Sequence, residues 1–202
     1  MSHVHIEDLK SFCFDVLVKE GMNNGDAKIT AEVLVETDAF GTYSHGTKNL
    51  GGYIKKAHAG GIDLSARPEI IVEGAAFAAI DAHDCIGMVA GGEGMKVAVE
   101  KAKTAGIALV LVKNSCHYGA AGYYANYAAR SGLIGISMSN VDPNMTIPGA
   151  KGMVIGNNPF AYAAPSIKYP TIFFDIALSS VASLKVVQAR KDGIKIPSDW
   201  IV

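Results

Sequence analysis

Cysteine is scarce: Cys13, Cys85 and Cys116 are the only three, they are odd in number, and none pair as C-x-x-C. A disulfide scaffold and a zinc knuckle are therefore excluded, and a reducing cytoplasm fits best. An excess of one charge is also absent, since 18 Lys and Arg stand against 19 Asp and Glu for a formal net charge of -1. With no basic block either, the electrostatic footprint of a nucleic-acid binder is missing. Long apolar runs are missing too. Ile107 to Val112 has only strand length, far short of the roughly 20 residues of a membrane helix, and the N-terminus carries no basic-then-apolar leader. Several catalytic and nucleotide-binding signatures fail on reading: Gly91-Gly92-Glu93-Gly94 lacks the G-x-G-x-x-G spacing, no Gly-Lys dipeptide exists for a Walker loop, and H-E-x-x-H and G-x-S-x-G do not occur. His3, His5, His58 and His83 have no companions at metal-ligand spacing.

What the chain does have is apolar residues and glycine. Half of its 202 residues are hydrophobic and 18% are charged, a balance that specifies a packed globule of one or two domains with a small-molecule partner as the default. The 22 glycines fall largely in pairs or beside Asn, Ser and His, which suggests loops whose backbone approaches a ligand.

The first sixty residues read as helices. Ile6, Leu9, Cys13, Val16 and Leu17 recur at three- and four-residue spacing before Gly21; a second helix runs from a cap at Asn24 to about Phe40, and a third starts at Ser44 and stops at Gly60-Gly61. Beyond Pro68 short extended runs begin, at Glu69 to Val72 and Phe77 to Asp81. A helix from Met95 to Ala105 then feeds the strand Ile107 to Lys113, and Tyr123 to Arg130 feeds Ile134 to Met138. Strands at Phe160 to Ala163 and Thr171 to Ile176 follow, then a helix from Val181 to Arg190. This alternation argues an α/β fold with one boundary near residue 65. The apolar last residues, Ile196 to Val202, read as an interruption rather than a natural stop.

Three constellations carry candidate chemistry. Ser44-His45-Gly46 precedes the third helix, where His45, Asn49 and Tyr53 at i, i+4 and i+8 form one helical stripe able to line a pocket; Ser44 also reads as a plain N-cap. Asn114 to Gly119 follows a strand, where α/β sheets bind ligands, so His117 is placed for proton transfer, or for a purely structural turn. Beside it, Cys116 raises the alternative of a Cys-His nucleophile. The third constellation, Ser139 to Asn144 with Gly156-Asn157-Asn158-Pro159, supplies Asp142 to orient an imidazolium and Asn158 to bond a ligand. Asp175 closes a strand at a junction where backbone N–H groups can meet a phosphate or ribose.

Together these turns resemble the malate/L-lactate dehydrogenase family of NAD(P)-dependent oxidoreductases, which includes ureidoglycolate and sulfolactate dehydrogenases and diketogulonate reductase. The resemblance runs nearly end to end. It rests on Asp38 to Tyr53, Asn114 to Gly122, Asp142-Pro143 with Pro148-Gly149, Gly156 to Pro165, and Asp175-Ile176-Ala177 with Lys185-Val186. It implies an α+β architecture, with a helical domain at 1–65 for substrate and dimer contacts. Residues 66–202 would form a non-Rossmann cofactor domain on a mixed, largely antiparallel sheet, cut short at its C-terminal end. It further implies a cytoplasmic homodimer using NAD or NADP on a small 2-hydroxy or 2-oxo acid. His117 would be the acid/base, Asp142 its partner, and His45 a second catalytic candidate. Ser44, Asn49 and Tyr53 would face the substrate; Val141, Asp175, Ile176, Ala177 and Asn158 would contact the cofactor. Many members carry arginine where this chain has Asn49, and Lys48 is the neighbouring cation that would compensate. The rival reading is a catalytically inactive binding or assembly module that keeps the fold.

Overall fold

A computed structural model describes residues 3–181, 183–198 and 200. Its elements run α1 (Ile6–Lys19), α2 (Asn24–Ala39), a 3-10 turn (Thr47–Asn49), α3 (Leu50–His58), β1 (Glu69–Gly74), β2 (Phe77–Asp81), α4 (Gly87–Ala105), β3 (Leu109–Lys113), α5 (Ala121–Arg130), β4 (Gly135–Met138), β5 (Phe160–Pro165), β6 (Thr171–Ile176) and α6 (Ser183–Asp192). The strands form two three-stranded sheets, β1-β2-β3 and β4-β5-β6. β1 pairs antiparallel with β2 and β2 parallel with β3, while β4-β5 and β5-β6 are antiparallel. The fold is thus mixed α and β with mostly antiparallel pairing.

Local chemistry explains where the helices start. α2 is capped by Asn23, whose side chain accepts the Asp26 N–H at 3.1 Å, so the cap lies one residue before the Asn24 expected from the sequence. The third helix does not start at Ser44: a turn and a 3-10 segment intervene, and α3 begins at Leu50. α4 begins eight residues before Met95, and Gly91, Gly92 and Gly94 lie inside it rather than in a ligand-facing loop. Each glycine weakens a helix by about 1 kcal/mol relative to alanine. Packing overrides that propensity: a Cβ on Gly91 would sit 2.8 Å from the Tyr124 ring, and one on Gly94 would sit 3.0 Å from Val112.

The main core joins α1, α2 and α3 to α4 and α5 through Leu17, Leu34, Val35, Leu50, Ile86, Met88 and Tyr124. It therefore continues across residue 65, where the sequence suggests a boundary. A second, smaller core lies between α5 and the β4-β5-β6 sheet and consists of Ala121, Ala125, Ala129, Ala161 and Ala163. Helix and sheet approach so closely that a Cβ on Gly135 would collide with the Ala125 carbonyl. The bulky residues of this sheet, among them Ile136, Tyr162, Ile172 and Phe174, are exposed.

Candidate active site

Two pinned turns bring the polar residues together. The first is held by Asp38 at the end of α2, whose Oδ2 accepts the Thr47 N–H at 3.0 Å and the Thr47 hydroxyl at 2.5 Å. Gly46 leaves room for that carboxylate, since a Cβ there would collide with it. The Ser44-His45 turn is thereby fixed against α2.

The second turn is held by Asp81 at the end of β2. Its carboxylate accepts the His83 N–H at 3.0 Å, both oxygens lie 3.0 Å from Asn114 Nδ2, and Lys113 Nζ is 3.0 Å away. The His83 N–H, followed by Asn114 and Lys113, holds the Asp81 carboxyl down at about 2. Around it sit three non-glycine residues with left-handed backbone, His83, Asp84 and Asn114, at φ 49, 60 and 52. Such conformations persist only where surrounding bonds over-determine them. Here they turn the chain into α4 and into Ser115-Cys116-His117. Gly87, the first residue of α4, packs directly on the Cys116 and His117 carbonyls, which a Cβ would strike.

The result is a cleft of about 290 Å³ lined by Ser44, His45, Asn49, Gly52, Tyr53, Lys56 and His117. Tyr53 Oη lies 2.5 Å from His117 Nδ1, and the His45 and His117 ring centroids are 5.4 Å apart. The Gly119 N–H makes a long 3.4 Å approach to the same Nδ1. No hydrogen bond reaches His117 Nε2 among the described residues, so this nitrogen is left for a ligand. Loss of water around the ring, then the His45 and Lys56 charges, lowers His117 to about 4. His45 is lowered as well, by burial first, with Asp175 opposing and Lys48 reinforcing. Burial raises the Tyr53 phenol, so its hydroxyl keeps its proton. That hydroxyl can accept from Nδ1–H or donate to Nδ1, and so it accommodates either tautomer of His117.

The sequence candidates separate on this geometry. His45, Tyr53, His117, Ser44 and Asn49 converge on the cleft, although not as one helical stripe. Ser44 Oγ is 2.7 Å from His45 Nδ1, and Asn49 Nδ2 donates to the Ser44 carbonyl at 2.9 Å. Asp142 is exposed in the loop after β4, while the Asp175 charge opposes the lowering of His45. Cys116 accepts the Gly87 N–H at 3.2 Å, and burial raises its thiol, which disfavours the thiolate a nucleophile needs. Lys48 is exposed and does not line the cleft. Lys56 does, and sequence reasoning missed it, although its place seven residues after Asn49 and three after Tyr53 extends the same helical spacing.

The expected cofactor residues also gather. In the register of β4, β5 and β6, Met138 faces Phe160 and Phe160 faces Ile176, so the loops carrying Val141, Asn158 and Ala177 leave one end of the sheet together. Asn158 Oδ1 accepts the Val141 N–H at 3.0 Å, and the Leu178 N–H donates to the Asn157 carbonyl at 2.8 Å. Gly156 nests against the Val141 carbonyl, which a Cβ would strike. Asp175 Oδ2 accepts the Gly122 N–H at 2.7 Å in the first turn of α5, which has no cap of its own. Burial raises the Asp175 carboxyl, while the Gly122 bond and His45 oppose. Neutral amides beside apolar Val141 and Ile176 fit the carboxamide group and the ring face of a nicotinamide.

Residues 4–202 match the profile of the family described as malate/L-lactate dehydrogenase. A malate dehydrogenase of Pyrococcus abyssi is 42% identical over 196 residues, covering 97% of this chain and 54% of its own length. A ureidoglycolate dehydrogenase (NAD(+)) of Escherichia coli O157:H7 is 35% identical, at 97% and 56% coverage. The solved structure of sulfolactate dehydrogenase from Methanocaldococcus jannaschii superimposes with a TM-score of 0.90 at 38% identity, covering 96% of this chain and 56% of that one. The chain spans about half the length of the curated relatives it matches.

Proposed function

This chain belongs to the malate/L-lactate dehydrogenase family, and from that premise we propose that it is part of an NAD- or NADP-dependent oxidoreductase acting on a small 2-hydroxy or 2-oxo acid, with His117 as acid/base. The observation that carries the reading is the Tyr53-His117 pair, open at Nε2, on a cleft of substrate size. The nicotinamide, when held by Val141, Asp175, Ile176, Ala177 and the Asn158-pinned loop, supplies the hydride chemistry. The protein's part is the proton. A His117 lowered to about 4 is neutral at physiological pH, and with Nδ1–H donated to Tyr53 its Nε2 lone pair takes the proton of a substrate hydroxyl. In the reverse direction the imidazolium returns that proton to the carbonyl oxygen, and Tyr53 Oη continues to accept from Nδ1–H. His45, held by Ser44, borders the same space as a substrate contact and second catalytic candidate. Asp142 is kept as a candidate partner of the imidazolium in the assembled protein.

A cofactor domain without the Rossmann arrangement, a homodimer and a cytoplasmic location belong to the same proposal. Among the described residues no helix is long and apolar enough to cross a membrane. Exposed apolar side chains on both sheets, such as Leu109, Leu111, Ile136 and Ile172, support burial against further protein. The reading is tested by His117→Ala, which is expected to cut turnover of 2-hydroxy or 2-oxo acids by ~10²–10⁴-fold while NADH or NADPH binding, followed by fluorescence, is retained. Unchanged turnover overturns it.

A further inference from the structure

We propose that Lys56 is the residue that anchors the carboxylate of the substrate, as the cation of the cleft, where Asn49 is neutral and Lys48 does not reach. The inference rests on the dehydrogenase reading above and adds to it the contact that selects an anion. Four observations carry it.

Lys56 lines the same cleft as His45, Tyr53 and His117, and no Asp or Glu lines it. Its ammonium is uncommitted: among the described residues no carboxylate lies within 4.0 Å of it. Lys113, which precedes the His117 turn, is by contrast bound to Asp81 at 3.0 Å. The stem of Lys56 is guided by the Gly60-Gly61 turn, because its Cγ and Cε lie 3.0 and 3.2 Å from where a Gly61 Cβ would sit. Asn49, though it lines the cleft, has one of its two amide hydrogens engaged by the Ser44 carbonyl at 2.9 Å, and being neutral it brings no charge to a carboxylate.

The chemistry matches a 2-oxo acid, in which a carboxylate adjoins the carbonyl that exchanges a proton with His117. Lys56 and His117 line the same cleft of about 290 Å³, so one small ligand can touch both. A lysine is a point charge with rotatable donors rather than a planar fork. Lys56 therefore fixes the presence of an anion more strongly than its shape.

The test is calorimetric binding of oxamate, a carboxylate analogue of a 2-oxo acid, and of its uncharged ester methyl oxamate, to the full chain. Lys56→Gln is expected to raise the oxamate Kd by about 10–100-fold, the range for losing a hydrogen bond to a charged group, and to leave methyl oxamate unchanged. Lys56→Arg restores oxamate binding, and Lys48→Gln moves it by less than about 3-fold. Lys56 is exposed, so an unaltered circular dichroism spectrum and Tm are expected for each variant. Oxamate binding that is equal in wild type and Lys56→Gln, a loss carried by Lys48→Gln, or a wild type that does not prefer oxamate to its ester overturns the proposal. Failure of the dehydrogenase reading shows differently: oxamate would still bind through Lys56 while no 2-oxo acid is reduced with either nicotinamide.

Discussion

The helical region around α1 to α4 and the β4-β5-β6 region solve packing in opposite ways. In the first, the large side chains are inside: Leu17, Leu34, Ile86 and Met88 are all nearly inaccessible. In the second, the buried residues are alanines and the large ones point out, with Ile136 52%, Tyr162 43% and Ile172 60% exposed. The difference teaches that apolar size does not by itself select the inner face. In Phe160-Ala161-Tyr162-Ala163 the alternation is plain, yet the small residues are buried because α5 lies almost in contact with the strands. The first region consequently holds a pinned, preorganised cleft, and the second presents loops and an apolar face with area still to bury.

The comparison can be broken by truncation. Leu34→Ala is expected to cost about 2–5 kcal/mol, the range for a buried leucine, whereas Ile172→Ala should stay within about 0.5 kcal/mol as an exposed substitution. Chemical denaturation of both variants reads the contrast, and equal losses would mean that the outer face of β6 is covered in solution. Next in size is Gly135→Ala. Overpacking the α5-sheet contact should cost about 1–3 kcal/mol, and an unchanged denaturation midpoint would show that helix and sheet are not so tightly apposed.

The smallest effect expected is from pH. The lowered His117 leaves the unfolded chain binding more protons between the ordinary histidine value of 6.5 and about 4, so stability rises with pH across that window and falls as the solution is acidified through it. His45 shifts in the same direction. Because the His117 ring is open to the cleft, solvent screening keeps the contribution below about 1 kcal/mol. Thermal melts of wild type and His117→Asn between these pH values should converge at low pH; parallel curves would remove His117 as their source.

Much of the site was legible because it sits where secondary structure changes. Ser44-His45-Gly46 and Asn114 to Gly119 are polar, glycine-bearing turns beside apolar segments, and both reach the cleft. What pattern could not supply was which turn meets which. Asp38 and Asp81 pin the two turns, and their partners at Thr47, His83 and Asn114 follow from the path of the chain. Gly91, Gly92 and Gly94 lie before the helix start expected at Met95, yet α4 includes them, in close contact with Tyr124, Ile29 and Val112.

Local forces acting over a few residues determined the order of helices and strands and the candidacy of His45, Tyr53 and His117. Tertiary structure decided the rest: two sheets in place of one, a core that crosses residue 65, and Lys56 rather than Lys48 in the cleft. Each of those outcomes depends on contacts between segments far apart in the chain, where desolvation and Coulomb forces act through space and sequence spacing carries no record of them.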